Sequence, residues 1–192
     1  MIERIQYKIE KYLDGDQDTL TFSYELPDFI VDNYDTLCQE DADLAKRLDD
    51  TFPEICAEYE RGTDDAVFRN TILKAYIAIY TRSMQLKDIP KEVAVDLIER
   101  TKELRPDMDI RIVMEDTALQ QLGFADQAPC IVEVISTPWE IDRLVEEVDE
   151  MEVDAFIDED APNQKELERR WRRYSIIEYY LSGRYRDLEN NG

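Results

Sequence analysis

The strongest helical pattern in the chain is DAVFRNTILKAYIAIYTRSMQL, at residues 65–86. Its large apolar side chains recur every three or four residues, which places them on one face of a helix. They are Phe68, Ile72, Tyr76, Ile79 and Tyr80. The pattern predicts a long amphipathic helix over residues 65–86 whose apolar face packs against other helices.

Similar apolar stripes precede this segment. One covers residues 2–13, another follows Pro27, which we take as a first-turn proline, and a third covers residues 41–60 with a bend near Pro53. Only 5 of the 192 residues are glycine, which favours helices with short connections over many tight β-turns. We therefore expect a helical bundle in residues 1–87.

The remaining chain, residues 88–192, has a different pattern. A helix is predicted from Pro90 to just before Pro106, and the β-branched runs at 109–114 and 130–136 predict two short strands.

A threonine and a proline, Thr137 and Pro138, then begin a helix over 139–157, and a further helix covers 164–181. The predicted fold class is mainly α, with the bundle followed by a smaller α+β region that has about two strands and two long C-terminal helices.

The chain is strongly acidic. It holds 46 Asp and Glu against 23 Lys and Arg, for a net charge of −23 at pH 7. Such a protein is repelled by nucleic acids and membrane phosphates and attracted to basic protein surfaces, so we expect a basic protein partner and neither nucleic acid nor membrane as a ligand. The alternative is that the acidity serves solubility alone.

The composition argues against an enzyme. Without histidine, neither a Ser-His nor a Cys-His nucleophile pair can be built, and the glycine-rich phosphate-binding motifs are absent. We expect no cofactor. The N-terminal residues do not resemble a secretory signal, and the three cysteines suit free thiols in a reducing compartment, so we expect a cytoplasmic protein.

One turn has acidic residues at the spacing of a calcium-binding loop. They are Asp14, Asp16, Asp18 and Glu25, at positions 1, 3, 5 and 12. The sharp turn of such a loop needs glycine at position 6, where this chain has Thr19. An ordinary polar turn is therefore favoured, and no metal site is predicted.

The two C-terminal helices carry opposite charge. Arg143 is the only base between Glu140 and Asp160, whereas residues 165–173 contain one lysine and four arginines. We expect the two helices to pack antiparallel and partly neutralise each other. A nucleic-acid-binding role for the basic helix is disfavoured by the acidic remainder of the chain.

The most suggestive candidate site is an acidic segment between two striped helices. Its candidate partner-binding residues are Glu58, Tyr59, Glu60, Asp64 and Asp65. The carboxylates would meet a basic cleft, with Tyr59 as the amphipathic anchor. The alternative is a helix end, a turn and acidic residues that stabilise the next helix N-terminus.

Residues 1–86 resemble the colicin D-type bacterial immunity proteins, which are small acidic helical bundles that neutralise a tRNA-cleaving toxin domain. The resemblance lies in the opening amphipathic helix, a turn leading to Thr21-Phe22-Ser23, the helix end Glu58-Tyr59-Glu60, and Asp64-Asp65 before a closing helix. Arg61-Gly62 departs from the proline that the family tends to have there. The resemblance implies that the four carboxylates of these last two segments contact the basic active site of a toxin.

The function we expect is therefore that of an acidic, non-enzymatic, immunity-type inhibitor that occludes the basic active site of a nuclease toxin. One alternative is a phage-type nucleic-acid mimic, such as an anti-CRISPR inhibitor of a DNA- or RNA-binding effector. Another is a plain protein-interaction module.

Overall fold

The computed structural model describes residues 1–115, 129–157 and 162–182, without the side chains of Glu60, Met114 and Glu115. The chain divides into two compact units, Met1–Thr81 and Arg82–Gly192. The described residues form seven helices and one antiparallel three-stranded sheet, so the predicted fold class is confirmed.

The first unit is a bundle of four helices. They are α1 (Ile2–Asp14), α2 (Thr19–Asp32), α3 (Tyr34–Glu60) and α4 (Asp65–Tyr80). An aromatic cluster joins three of them: the ring of Tyr12 stacks on Phe22 with centroids 4.0 Å apart, and the edge of Phe68 meets both rings. All three side chains are buried, so the bundle has a continuous apolar core.

The expected role of Pro27 is wrong, because this residue lies inside α2 and not at its start. The helix begins eight residues earlier, since the carboxylate of Asp18 accepts a hydrogen bond from the Thr21 N–H at 2.9 Å and caps the N-terminus. The bend expected near Pro53 is found instead at Asp41 of α3, which has non-helical backbone angles. The Asp41 carboxylate accepts from the Leu44 N–H, which restarts the helix after the kink.

The helix predicted over residues 65–86 is also too long. It ends at Tyr80, and a third strand follows, β1 (Arg82–Pro90), which sequence analysis missed. In this strand Met84 and Leu86 are buried between exposed neighbours, which is the two-residue period of a strand. The expected domain boundary after residue 87 falls inside β1, whereas the first unit ends at Thr81 and the second begins at Arg82.

The second unit packs helices on this sheet. After β1 come α5 (Lys91–Leu104), β2 (Asp109–Glu115), β3 (Pro129–Ser136), α6 (Pro138–Phe156) and α7 (Gln164–Leu181). The strand order is β1-β3-β2, and both pairings are antiparallel. One core cluster joins buried residues of the strands and helices, among them Val132, Leu97, Leu144 and Ile177.

Candidate functional site

The turn between α3 and α4 is built by local hydrogen bonds. The N–H of Gly62 donates to the Tyr59 carbonyl at 2.9 Å, and the Thr63 hydroxyl donates to the Glu58 carbonyl at 2.9 Å. Gly62 has a φ of +106°, a backbone conformation that side chains with a Cβ rarely adopt. These contacts fix how the chain leaves α3 and enters α4.

Two of the predicted site residues hold this turn together. Asp64 is the N-cap of α4, and its carboxylate accepts from the Ala66 N–H at 2.9 Å and the Val67 N–H at 3.4 Å. Asp65 accepts a hydrogen bond from the Tyr59 hydroxyl at 2.7 Å. Both carboxylates therefore have structural partners within the chain.

Tyr59 is not the free anchor that its sequence context suggests. Its ring is half-buried and lies against Phe68, with centroids 4.7 Å apart. The hydrogen bond to Asp65, together with desolvation, raises the pKa of Tyr59 to about 12, because both favour the neutral phenol. Tyr59 thus ties the end of α3 to the start of α4.

The remaining two predicted residues lie at the end of α3. Glu58 is exposed and forms an ion pair with Arg61. Glu60 ends the helix, and its side chain lies outside the described part of the structure.

A groove of about 500 Å³ runs between α3 and α4 beside this turn. Three carboxylates, three apolar side chains and three threonines line it: Asp50, Glu54, Glu58, Ile55, Val67, Phe68, Thr51, Thr63 and Thr71. No lysine or arginine is among these lining residues. Of the predicted site residues whose side chains the structure describes, only Glu58 lines the groove.

The groove carboxylates form a row along one face of α3. Asp50, Glu54 and Glu58 are four residues apart, and four helical residues rise about 6 Å. Within the described part of the chain, Asp50 and Glu54 have no hydrogen bond or ion pair. Sequence reasoning missed Asp50 and placed Glu54 in the acidic segment without choosing it as a site residue, although their spacing of four was a signal that could have identified the row.

The candidate calcium loop does not gather its carboxylates. Asp14 ends α1, Asp18 caps α2, and Glu25 lies within α2, where it accepts from Gln17 at 3.1 Å and pairs with Lys8 at 3.5 Å. Asp16 lines a separate groove that also contains three cations of α1. Among the described residues, no group of three or more potential ligands is placed to hold a metal ion.

The expected neutralisation of α6 by α7 is not what the described ion pairs show. The two helices pack against each other, and the ring edge of Trp171 meets Phe156 with centroids 5.3 Å apart. The arginines of α7 pair elsewhere: Arg169 with Glu166, Arg172 with Glu168, and Arg173 with Glu103 of α5. Which residues form ion pairs depends on how each helix is rotated about its axis. Here the three paired arginines of α7 contact carboxylates of α7 itself and of α5.

Like charges even meet between these two helices. Burial, followed by the nearby carboxylates Asp149 and Glu152 of α6, raises the pKa of Glu178 of α7. A groove along α6 is lined by Glu146, Asp149, Glu150, Val153 and Asp154, so a single apolar side chain accompanies four acidic ones.

Comparison of the chain with protein-family models, with curated proteins and with solved structures finds no match. None of the helices in the described ranges is both long enough and apolar enough to cross a membrane.

Proposed function

We propose that this protein is an acidic, non-enzymatic inhibitor of the immunity type, which binds and occludes the basic active site of a nuclease toxin in the cytoplasm. The acidic row of α3, defined as Asp50, Glu54 and Glu58, is the binding surface. The resemblance of residues 1–86 to the colicin D-type immunity proteins supports the choice of a nuclease as the target.

The observation that carries the proposal is that two of the three carboxylates of this row, Asp50 and Glu54, have no ion pair within the described chain. Asp50 and Glu54 are exposed, and no hydrogen bond or ion pair within the described chain satisfies them. Like charges four residues apart on a helix cost about 0.2–0.5 kcal/mol per pair. The row therefore destabilises the free protein slightly. A cationic partner would offset this repulsion, which gives a physical reason for the row to exist.

The sign and the linear arrangement of the row suit a nuclease cleft. Negative charges that follow one another along a helix face would occupy the place of the backbone phosphates that a basic cleft binds. Charge attraction of this kind accelerates association and is screened by salt. The protein would exclude nucleic acid from the cleft without any chemistry of its own.

The turn residues have a supporting part in this proposal. Asp64 caps the start of α4, and Asp65 holds the Tyr59 hydroxyl, so both carboxylates hold the turn beside the groove. Glu58 joins the row at its turn end, where the partner's cations would compete with Arg61 for its carboxylate.

The test is affinity capture with the tagged protein at low salt, elution with rising salt, and a nuclease assay on each captured protein after purification. We expect a basic nuclease that the chain inhibits at equal molar concentration. Capture of only the chain itself or of a neutral, salt-insensitive partner would contradict the proposal. A captured basic effector that binds nucleic acid without cleaving it would replace the immunity function by nucleic-acid mimicry.

A further inference from the structure

We infer that the groove between α3 and α4 receives one long cationic side chain, lysine or arginine, from a basic protein segment. This inference deepens the proposed function and rests on it for the identity of the protein that carries the segment. Three features of the groove define the occupant: an apolar base, an acidic side and a limited volume.

The base of the groove is apolar. Phe68 is buried at 1% exposure, Ile55 of α3 is half-buried, and Val67 of α4 is 57% exposed. A metal ion, a free ammonium ion or a small polar cation would gain nothing from this base. The methylene stem of a lysine or arginine would bury apolar area against it while its charged end stayed near water.

The acidic side lies on α3 alone. Asp50 and Glu54 supply two carboxylates that have no partner within the described chain, while Thr71 and Val67 on the α4 side are uncharged. A cation that enters along the apolar base therefore meets charge on one side only. This arrangement directs the charged end toward the carboxylates of α3 while the stem lies along the apolar base.

The composition separates this groove from the acidic groove of α6. At about 500 Å³ the α3–α4 groove is within the range of pockets that hold small ligands, so it has room for one side chain. The α6 groove offers only Val153 beside its four carboxylates, so it lacks a base for an aliphatic stem. The inferred lysine or arginine side chain therefore suits the α3–α4 groove and not the α6 groove.

The inference can be tested without the toxin. The probe is a short capped alanine peptide with one arginine, titrated into the full chain whose isoleucine and valine methyl groups are isotope-labelled for NMR. We expect methyl shifts at Ile55 and Val67, and none at Val31, an α2 residue that is 62% exposed. A second peptide, with neutral citrulline in place of the arginine, should lose these shifts.

Two pairs of matched variants assign the binding to the groove. Val67→Thr keeps the shape of the side chain but removes apolar area, and should weaken peptide binding roughly three- to tenfold, whereas Val31→Thr should not change it. Asp50→Asn with Glu54→Gln should abolish the binding. The control Asp28→Asn with Asp32→Asn removes two exposed charges of α2 and should retain most of it.

The outcomes distinguish this inference from the proposed function. Equal shifts with the arginine and citrulline peptides, or no shift at Ile55 and Val67, would overturn the inference and leave the inhibitor proposal standing. Arginine-dependent shifts without any captured nuclease would support the groove and contradict the inhibitor. If an inhibited nuclease bound Val67→Thr and wild type with the same dissociation rate, the inference would be wrong.

Discussion

The α3–α4 region of the first unit and the α6–α7 region of the second are both acidic, but their carboxylates stand in different surroundings. Along α3, Asp50 and Glu54 face a groove with an apolar base and no lining cation. Along α6, the acidic face lies beside a helix with five cations, yet the described ion pairs of those arginines lie within α7 and to α5.

Net charge alone therefore does not identify a binding surface. Both regions attract cations at long range, because the potential depends on summed charge. Only the α3–α4 groove adds an apolar surface on which a bound side chain would be desolvated, and buried contacts of this kind dominate binding energy. Affinity should therefore concentrate in the first unit.

The largest difference we expect concerns the aromatic residues that support the two surfaces. Phe68 is buried among Tyr12, Phe22 and Tyr59, so Phe68→Ala should lower the free energy of unfolding by about 3–5 kcal/mol. Phe156 is 49% exposed and contacts Trp171, so Phe156→Ala should cost about 1 kcal/mol. Urea denaturation followed by circular dichroism measures both values. Equal losses would show that the two surfaces rest on similar cores.

The N-caps give the second largest effect and separate capping from charge. Asp64→Ala should destabilise the protein by about 1 kcal/mol, whereas Asp64→Asn should be nearly neutral, because asparagine caps as well as aspartate. Thr137 begins α6 with reciprocal hydrogen bonds to Glu140, and Thr137→Ala should cost about 1–2 kcal/mol. Thermal and urea unfolding of the three variants measure these effects. If Asp64→Asn were as destabilising as Asp64→Ala, the stabilisation by Asp64 would come from the carboxylate charge and not from the capping hydrogen bonds.

The Tyr59–Asp65 hydrogen bond should make the first unit sensitive to high pH. The folded-state pKa of Tyr59 is about 12 and the unfolded value is about 10, so the bond stabilises the protein fully below pH 10. This contribution should disappear as the pH rises from 10 to 12. Tyr59→Phe should therefore be less stable than wild type at pH 8 and equally stable near pH 12, as measured by urea unfolding at each pH. A stability difference that did not change with pH would contradict the hydrogen bond.

The smallest effects concern like-charge repulsion in the two regions. Glu54→Gln should raise the free energy of unfolding by about 0.2–0.5 kcal/mol for each repulsive pair that it removes on α3. Glu178→Gln should raise the melting temperature by roughly 1–3 °C at pH 7. Because the folded-state pKa of Glu178 is raised, the cost of its ionised form is present at neutral pH and vanishes toward pH 4. Scanning calorimetry at pH 7 and pH 4 measures both variants. A Glu178→Gln gain that persisted at pH 4 would exclude the ionised carboxylate, through its burial and its repulsion by Asp149 and Glu152, as the cause.

Sequence predicted the elements that carry strong local signals. The helix after Thr137-Pro138 was predicted because these two residues fix the backbone locally. The strand β1 was missed because Met84 lies four residues after Tyr80 and so continues the helical stripe. What makes this segment a strand is its pairing with β3, about fifty residues later in the chain, and a local pattern does not contain that pairing.

The candidate site was predicted only in part for a similar reason. The acidic turn was identified from composition, but the hydrogen bonds that occupy Asp64, Asp65 and Tyr59 depend on how α3 and α4 are placed. Glu54 and Asp50 lie about one and two turns before Glu58, and their spacing was visible in the sequence. Their lack of partners, which makes them the better candidates, required the packed structure.

The most direct test of the central claim is the association rate with the captured nuclease, measured by stopped-flow fluorescence between about 0.05 and 0.5 M salt. We compare wild type, the variant Asp50→Asn/Glu54→Gln, and the control Asp28→Asn/Asp32→Asn, which removes the same charge from α2. We expect the α3 variant to associate roughly tenfold more slowly than wild type at low salt and to lose most of the salt dependence of its association rate. It should no longer inhibit the nuclease, whereas the α2 control should stay close to wild type. Equal rates for the two variants would contradict the claim, because only total charge would then matter.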